Sequence, residues 1–229
     1  MQPIIALKKI QLFKNLGDVS LKTVSNALIE KNYKKSEYIV HEGEESNSFG
    51  IVVTGRVKII KHSIDGKEVI LRIITEGNIF GEVAMFDNLP YPASAVAMED
   101  STIFVFEKNA FLSMIKKEPS IAWHTIMDLS KKLRDTSQSL KEIAAERVER
   151  RIASLLLRLG EHYGVRKGDL IELNFPLTRQ EIADMCGTTV ETAIRVMSRL
   201  TKDNIIETTK SAIKINSSGA LLKIIENLE

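Results

Sequence analysis

The chain has 229 residues, more than a single domain usually holds and enough for two separate cores. Its 44% hydrophobic and 27% charged content is that of a soluble globular protein, and no apolar run is long enough to cross a bilayer. The net charge of +2 is close to neutral, so any nucleic-acid signal has to be local rather than a property of the whole chain.

Met1 is not followed by a charged, then apolar, then small-residue leader, so the expected location is the cytoplasm. Residues 1–30 predict a small helical lead-in. Ile10, Phe13 and Leu16 are followed by Leu21, Val24, Ala27 and Leu28 at helical spacing, with Asp18 or Ser20 as the cap. From Tyr38 the period changes to two. Segments rich in Ile and Val are punctuated by Gly43, Gly55, Gly66 and Gly77, which predicts an antiparallel sandwich or jelly roll. The clearest hairpin is VKIIKHSIDGKEVILRII, where Asp65-Gly66 is expected to supply the positive φ values of a tight turn. Strands continue through Ala95–Met98 and Thr102–Phe106, and a short helix runs from Lys108 to Lys116.

Within this region residues 77–97, GNIFGEVAMFDNLPYPASAVA, do not read as plain strand. Gly81-Glu82 followed by small and apolar residues is consistent with a tight loop and short helix whose N–H groups cradle an anion. A simple glycine turn or a β-bulge at Gly81 fits the same spacing.

Residues 119–146 repeat apolar side chains in steps of four and three. Ala122, Ile126, Leu129, Leu133, Leu140 and Ile143 share one seam, broken to a hydroxyl at Thr136. Such a helix runs roughly 40 Å at about 1.5 Å per residue, too long for one small domain to cover. The simplest partner is a second copy of the chain, although an ordinary amphipathic helix packed on its own chain has the same pattern.

Residues 147–162 form another amphipathic helix, with Val148, Ile152, Leu155, Leu156 and Leu159 inward and Gly160 or Gly164 ending it. A strand-like stretch covers Leu170–Phe175. Thr178 and Glu181 then make a capping box, Gly187 ends that helix, and Thr188 with Glu191 predicts a second box. Two helices around a glycine turn describe a helix-turn-helix. On the second, Val190, Ala193, Val196, Met197 and Leu200 face one side, and Glu191, Ile194, Arg195, Ser198 and Lys202 the other. In a major groove, Arg195 can bind guanine O6 and N7, and Glu191 can accept from a cytosine amine. A plain surface ion pair between Glu191 and Arg195 is the alternative. Arg179, Arg199 and Lys202 are candidate phosphate contacts. ETTKSAIKI reads as a two-stranded wing with its turn near Lys210-Ser211, and Ser217 to Leu228 as a closing helix.

TEGNIFGEVAMF, PYPASAVA, the long helix with Asp135-Thr136-Ser137, and LTRQEIADMCGTTVETAIRVMSRL follow one another in an order that resembles the CRP/FNR superfamily of bacterial transcription regulators along essentially the whole chain. The resemblance implies an α+β protein in three parts: a cyclic-nucleotide-binding-like β jelly roll over 1–118, a coiled-coil dimerisation helix over 119–146, and a winged helix-turn-helix over 147–229. It implies a homodimer on a pseudo-palindromic operator in double-stranded DNA, with half-sites roughly 34 Å apart, and a contact with RNA polymerase. The DNA interface would comprise Thr178, Arg179, Thr189, Val190, Glu191, Thr192, Ile194, Arg195 and Arg199. An effector pocket would comprise Gly81, Glu82, Val83, Ala84, Ala93, Ser94, Thr136 and Ser137, with Glu82 where nucleotide-binding members hold the ribose.

Two departures bear on mechanism. Where cyclic-AMP-responsive members place an arginine and a serine, this chain has Pro92 and Ala93, with Ser94 one place later. Losing a charge-assisted contact to the phosphodiester removes on the order of 1.5–3 kcal/mol, so a cyclic nucleotide is disfavoured as the effector. Ile194 stands where relatives read a base with serine; it can touch a thymine methyl but cannot hydrogen-bond. The cluster-binding oxygen-sensor subgroup is excluded because Cys186 is the single cysteine. His41, His62, His124 and His162 lack metal-ligand spacing, so no cofactor is assigned. No nucleophilic triad, paired-carboxylate cleft, phosphate loop or dinucleotide fingerprint supports an enzyme. The rival expectation is a ligand-binding or scaffold module whose C-terminal domain contacts protein instead of DNA.

Overall fold

The computed structural model describes residues 6–8, 10–173, 175–209 and 212–226. They form two compact units, Met1–Leu133 and Arg134–Glu229. The wing turn expected at Lys210-Ser211 and the end of the closing helix at Leu228 lie outside the described residues.

The first unit opens with a 3-10 turn, Gln11–Phe13, and helix α1, Asp18–Ala27. Gly17 precedes α1 without a side-chain cap, so neither Asp18 nor Ser20 caps it. Asp18 instead occupies the first turn, where its carboxylate favours the positive helix end and pairs with Lys8 at 2.9 Å. Two four-stranded antiparallel sheets follow, ordered β1-β8-β3-β6 and β2-β7-β4-β5. Their strands are β1 Leu28–Tyr33, β2 Tyr38–Val40, β3 Ser48–Thr54, β4 Val57–His62, β5 Glu68–Ile74, β6 Ile79–Phe80, β7 Ser94–Ala97 and β8 Ser101–Glu107. Strand β1 pairs with β8 across six residues and begins the barrel before Tyr38. Its charged, mostly exposed residues at an edge hide the alternation that marks the other strands.

The sheets close on one another through Val52, Phe80 and Ile103 from one and Val57, Ile74 and Ala95 from the other. A larger core joins Phe13, Leu21, Phe49, Phe106 and Phe111, with edge-on ring pairs at 4.6 Å and 5.4 Å that suit the aromatic quadrupole. The β4–β5 turn is longer than the tight two-residue form expected. Ser63 N–H donates to the Lys67 carbonyl, Lys67 N–H donates to the Ser63 hydroxyl, and only Gly66 has positive φ. A three-residue loop ending in a left-handed glycine satisfies these bonds, whereas a two-residue turn would need positive φ at Asp65 as well.

Helix α2, Glu82–Asp87, interrupts the strands, and α3, Lys108–Lys117, leads into α4, Pro119–Ala145. Proline at the first position of α4 costs no backbone hydrogen bond.

The second unit contains the end of α4, α5 Val148–Tyr163, α6 Arg179–Cys186, α7 Val190–Lys202 and α8 Ser218–Glu226. It also contains the antiparallel sheet β11-β12-β10-β9, built from Ile206–Thr208, Ile213–Ile215, Leu170–Leu173 and Val165–Lys167. Gly160 lies inside α5 and does not end it; a methyl there would stand 3.2 Å from Ile171 and Ile215, so glycine lets the sheet approach the helix. Gly164 follows the last residue of the helix. Arg147 marks the break between α4 and α5.

Candidate DNA-reading and sensing sites

Helix α6 starts at a capping box: Thr178 Oγ1 accepts from Glu181 N–H, and Glu181 Oε2 accepts from Thr178 N–H at 2.7 Å. It ends at Gly187 in the left-handed conformation. The second expected box, Thr188 with Glu191, does not form. Thr189 caps α7 and accepts from Thr192 N–H at 3.3 Å, while Thr188 N–H is bonded to Ala183 within the turn. The one-residue shift frees Glu191 from a capping role. Its carboxyl is held below the usual range by its own backbone N–H and the Thr189 hydroxyl.

Ala193, Met197 and Leu200 bury one face of α7, and Glu191, Ile194, Arg195, Ser198 and Arg199 are exposed on the other. Val190 and Thr192 are half-buried, and Thr178 and Thr189 are exposed at the helix starts. Arg179 Nη2 donates to Thr208 Oγ1 at 3.3 Å, and desolvation lowers its basicity while leaving it a cation. Arg199 pairs with Glu149 on α5. The unit therefore presents the predicted reading residues together, with one arginine tied to the sheet and one to α5.

In the first unit Gly81 directly precedes α2 with φ +84°, in the left-handed region. Glu82 is 2% exposed and begins the helix. Ala84 is buried, Val83 is turned outward at 47% exposure, and Ala93 is half-buried. Ser94 is buried on β7, where its hydroxyl accepts from Glu42 N–H at 2.9 Å. Pro92 is exposed. The Glu82 carboxylate faces an ammonium of this chain: Lys132 Nζ lies 2.7 Å from Glu82 Oε1 and donates to the Ile79 carbonyl at 2.9 Å. Asp128 Oδ2, one turn earlier on α4, is 2.7 Å from the same nitrogen. Arg72 on β5 donates to the Lys132 carbonyl at 3.0 Å.

Along α4, Ile126, Leu133, Leu140 and Ile143 are between 52% and 69% exposed, Leu129 is half-buried, and Thr136 and Ser137 are exposed. Trp123 and Met127 extend this apolar stripe. Among the described residues no group of His, Cys, Asp and Glu is placed to hold a metal ion, and no helix is long and apolar enough to cross a membrane.

Residues 30–118 match the cyclic nucleotide-binding domain family, and residues 150–224 the Crp-like helix-turn-helix domain family. A probable transcriptional activator of Rhizobium leguminosarum is 31% identical over 178 residues, covering 73% of this chain and 69% of its own length. The chain belongs to the CRP/FNR family of transcription regulators. Also similar is the CRP-like cAMP-activated global transcriptional regulator of Mycobacterium tuberculosis, 25% identical over 95% of this chain and 97% of its own. The structure of FixK2 from Bradyrhizobium japonicum shares the fold, with a TM-score of 0.77 at 21% identity, covering 88% of this chain and 99% of that one.

CRP/FNR regulators bind DNA and act as dimers. Sequence reading missed Lys132, Asp128 and Arg72. Lys132 and Asp128 stand four apart on a helix, where such a pair ordinarily signals a solvated surface. Only the path of β6 and α2 beneath them makes it a buried cluster. Also missed was the clamp at the end of α4. Buried Glu142 accepts from Gln138 Nε2 at 3.0 Å and from Arg158 Nη1 at 3.3 Å. Arg151 Nη1 donates to the Ile143 and Glu146 carbonyls and Nη2 to that of Gly187. Cys186 lies beside this clamp, 3% exposed, its thiol pushed up to about 12 by burial.

Proposed function

We propose that this CRP/FNR regulator reads a pseudo-palindromic operator with Glu191 and Arg195 of two α7 helices, and that Thr178, Arg179, Thr189, Thr192 and Arg199 hold the flanking phosphates. The supporting observation is the exposed face of α7, which carries both an acceptor and a fork of donors above a fully apolar opposite face. Val190 and Ile194 add apolar surface suited to a thymine methyl. In the cytoplasm, the regulator adjusts transcription through contact with RNA polymerase.

The sensor region is the neighbourhood of Gly81, Glu82, Val83, Ala84, Ala93 and Ser94. Relatives in Mycobacterium tuberculosis and Thermus thermophilus carry cyclic AMP in their names. This chain differs from that chemistry, since Pro92 offers neither charge nor N–H and the Ser94 hydroxyl already serves Glu42. A signal acts here only by favouring one arrangement of the dimer over another.

Selection of bound duplexes from a random pool, followed by affinity measurement across salt concentrations, tests the reading. The expected result is a two-fold symmetric consensus with affinity falling steeply as salt rises, because phosphate contacts release counterions. A pool that yields no consensus refutes it.

A further inference from the structure

The end of α4 is fastened to the helix-turn-helix at two points. Glu142, 6% exposed, lies in the last turn of α4 and accepts from Gln138 Nε2 at 3.0 Å and from Arg158 Nη1 of α5 at 3.3 Å. Arg151, in the first turn of α5, reaches in two directions. Its Nη1 donates to the Ile143 and Glu146 carbonyls at 3.4 Å and 3.3 Å, and its Nη2 to the Gly187 carbonyl at 3.4 Å. A planar guanidinium holds carbonyls on two sides at once, which the point charge of an ammonium does not.

Gly187 turns the chain between α6 and α7 with φ +60°, and Thr189 caps α7 two residues later. A Gly187 carbonyl fixed to the end of α4 therefore fixes where α7 begins. The space left among Ser139, Leu155, Met185 and Cys186 is about 10 Å³, room for one water at most. The contacts across this joint are accordingly little screened by solvent. On the same turns of α4, Leu140 and Ile143 are 69% and 52% exposed, an apolar edge suited to a second copy of the chain.

We propose that Arg151, backed by the Glu142–Arg158 pair, is the positioning residue that sets operator half-site spacing. It makes the end of α4 and the turn before α7 one rigid piece, so two copies joined along α4 hold their α7 helices at one separation. One base pair inserted between half-sites moves one of them by about 3.4 Å and turns it by about 35° around the duplex axis, which a rigid joint does not follow and a loosened one does. The inference rests on the DNA-reading function proposed above.

The test uses the full chain with Arg151→Met, Arg151→Lys, and Glu142→Met combined with Arg158→Met. The last replaces a buried ion pair by apolar side chains, a change often neutral for stability. Affinity is measured for the selected operator, for the same operator with one base pair added or removed at its centre, and for a single half-site. The wild type should bind the altered spacers about a hundredfold more weakly than the selected one, because the second contact is lost. Arg151→Met should shrink that ratio about tenfold with half-site affinity within about twofold of the wild type, a split that general destabilisation does not produce. Arg151→Lys keeps the charge without the fork and should behave like Arg151→Met, and the double variant should shrink the ratio about threefold.

An unchanged spacer ratio in Arg151→Met overturns the proposal, as does full discrimination in Arg151→Lys. If Arg151→Met loses half-site binding, the double variant, which keeps Arg151, decides, and an unchanged ratio there overturns it. Amide hydrogen exchange without DNA is the second readout. Arg151→Met should exchange about tenfold faster in the peptides covering the end of α4 and the α6–α7 turn, and a change in neither overturns the rigid joint. A wild type that selects no operator refutes the DNA-reading function, whereas one that selects an operator but tolerates every spacer refutes the spacing role alone.

Discussion

At the scale of single residues, chemistry rather than exposure distinguishes the side chains of α7. Arg195 is one of several exposed groups there, but its planar fork matches the two acceptors of a guanine edge. Replacing it in Arg195→Ala should weaken specific binding by about 1–3 kcal/mol per half-site and relax discrimination at one guanine, read by competition with single-base operator variants. Glycine is required at position 81 for a different reason. Its φ of +84° is disfavoured for an L side chain, and an added Cβ would lie 3.1 Å from the Tyr91 ring. Gly81→Ala should cost about 1–2 kcal/mol of first-unit stability in a denaturant titration. Cys186 is held as a thiol. An unfolded thiol ionises near 9.0 and the folded one near about 12, so the unfolded state loses its proton first. The stability this provides is complete below about pH 9 and disappears as pH rises toward 12. A thiol reagent at neutral pH should therefore label Cys186 only after denaturation, as mass spectrometry would show.

At the scale of elements, α4 was the most legible in sequence and β1 the least. The seven-residue recurrence from Ile126 to Ile143 is periodic over many turns, and periodicity survives any local packing detail. Leu133→Asp with Leu140→Asp should convert the dimer to monomer at micromolar concentration, seen by sedimentation, while leaving the far-ultraviolet spectrum close to the wild type. Two carboxylates brought opposite their copies across a seam cannot be solvated there. Strand β1 was missed because its charges face water, and the cap of α7 was misplaced by one residue because adjacent threonines, Thr188 and Thr189, offer equivalent hydroxyls. The backbone path of the turn, with Thr188 N–H already bonded to Ala183, selects between them.

At the scale of the whole molecule, function depends on two copies acting together on one duplex. Cutting the operator to a single half-site should reduce affinity by about 10²–10⁴, measured by fluorescence anisotropy, because the second contact is intramolecular once the first has formed. The jelly roll, the long helix α4 and the helix-turn-helix could be read from residue order, since alternation, heptad spacing and capping residues are local patterns imposed by backbone geometry. The exposed face of α7 was legible for the same reason: a turn of 100° per residue assigns each side chain to a side. The state of the sensor region was not. That Lys132 meets Glu82, fifty positions earlier, depends on how α2 and β6 pass under α4, and an ion pair between distant residues leaves no periodic trace. Sequence alone determined the periodic elements and which of their faces are apolar, whereas tertiary packing decided which charges meet, because only folding sets the distances on which their energies depend.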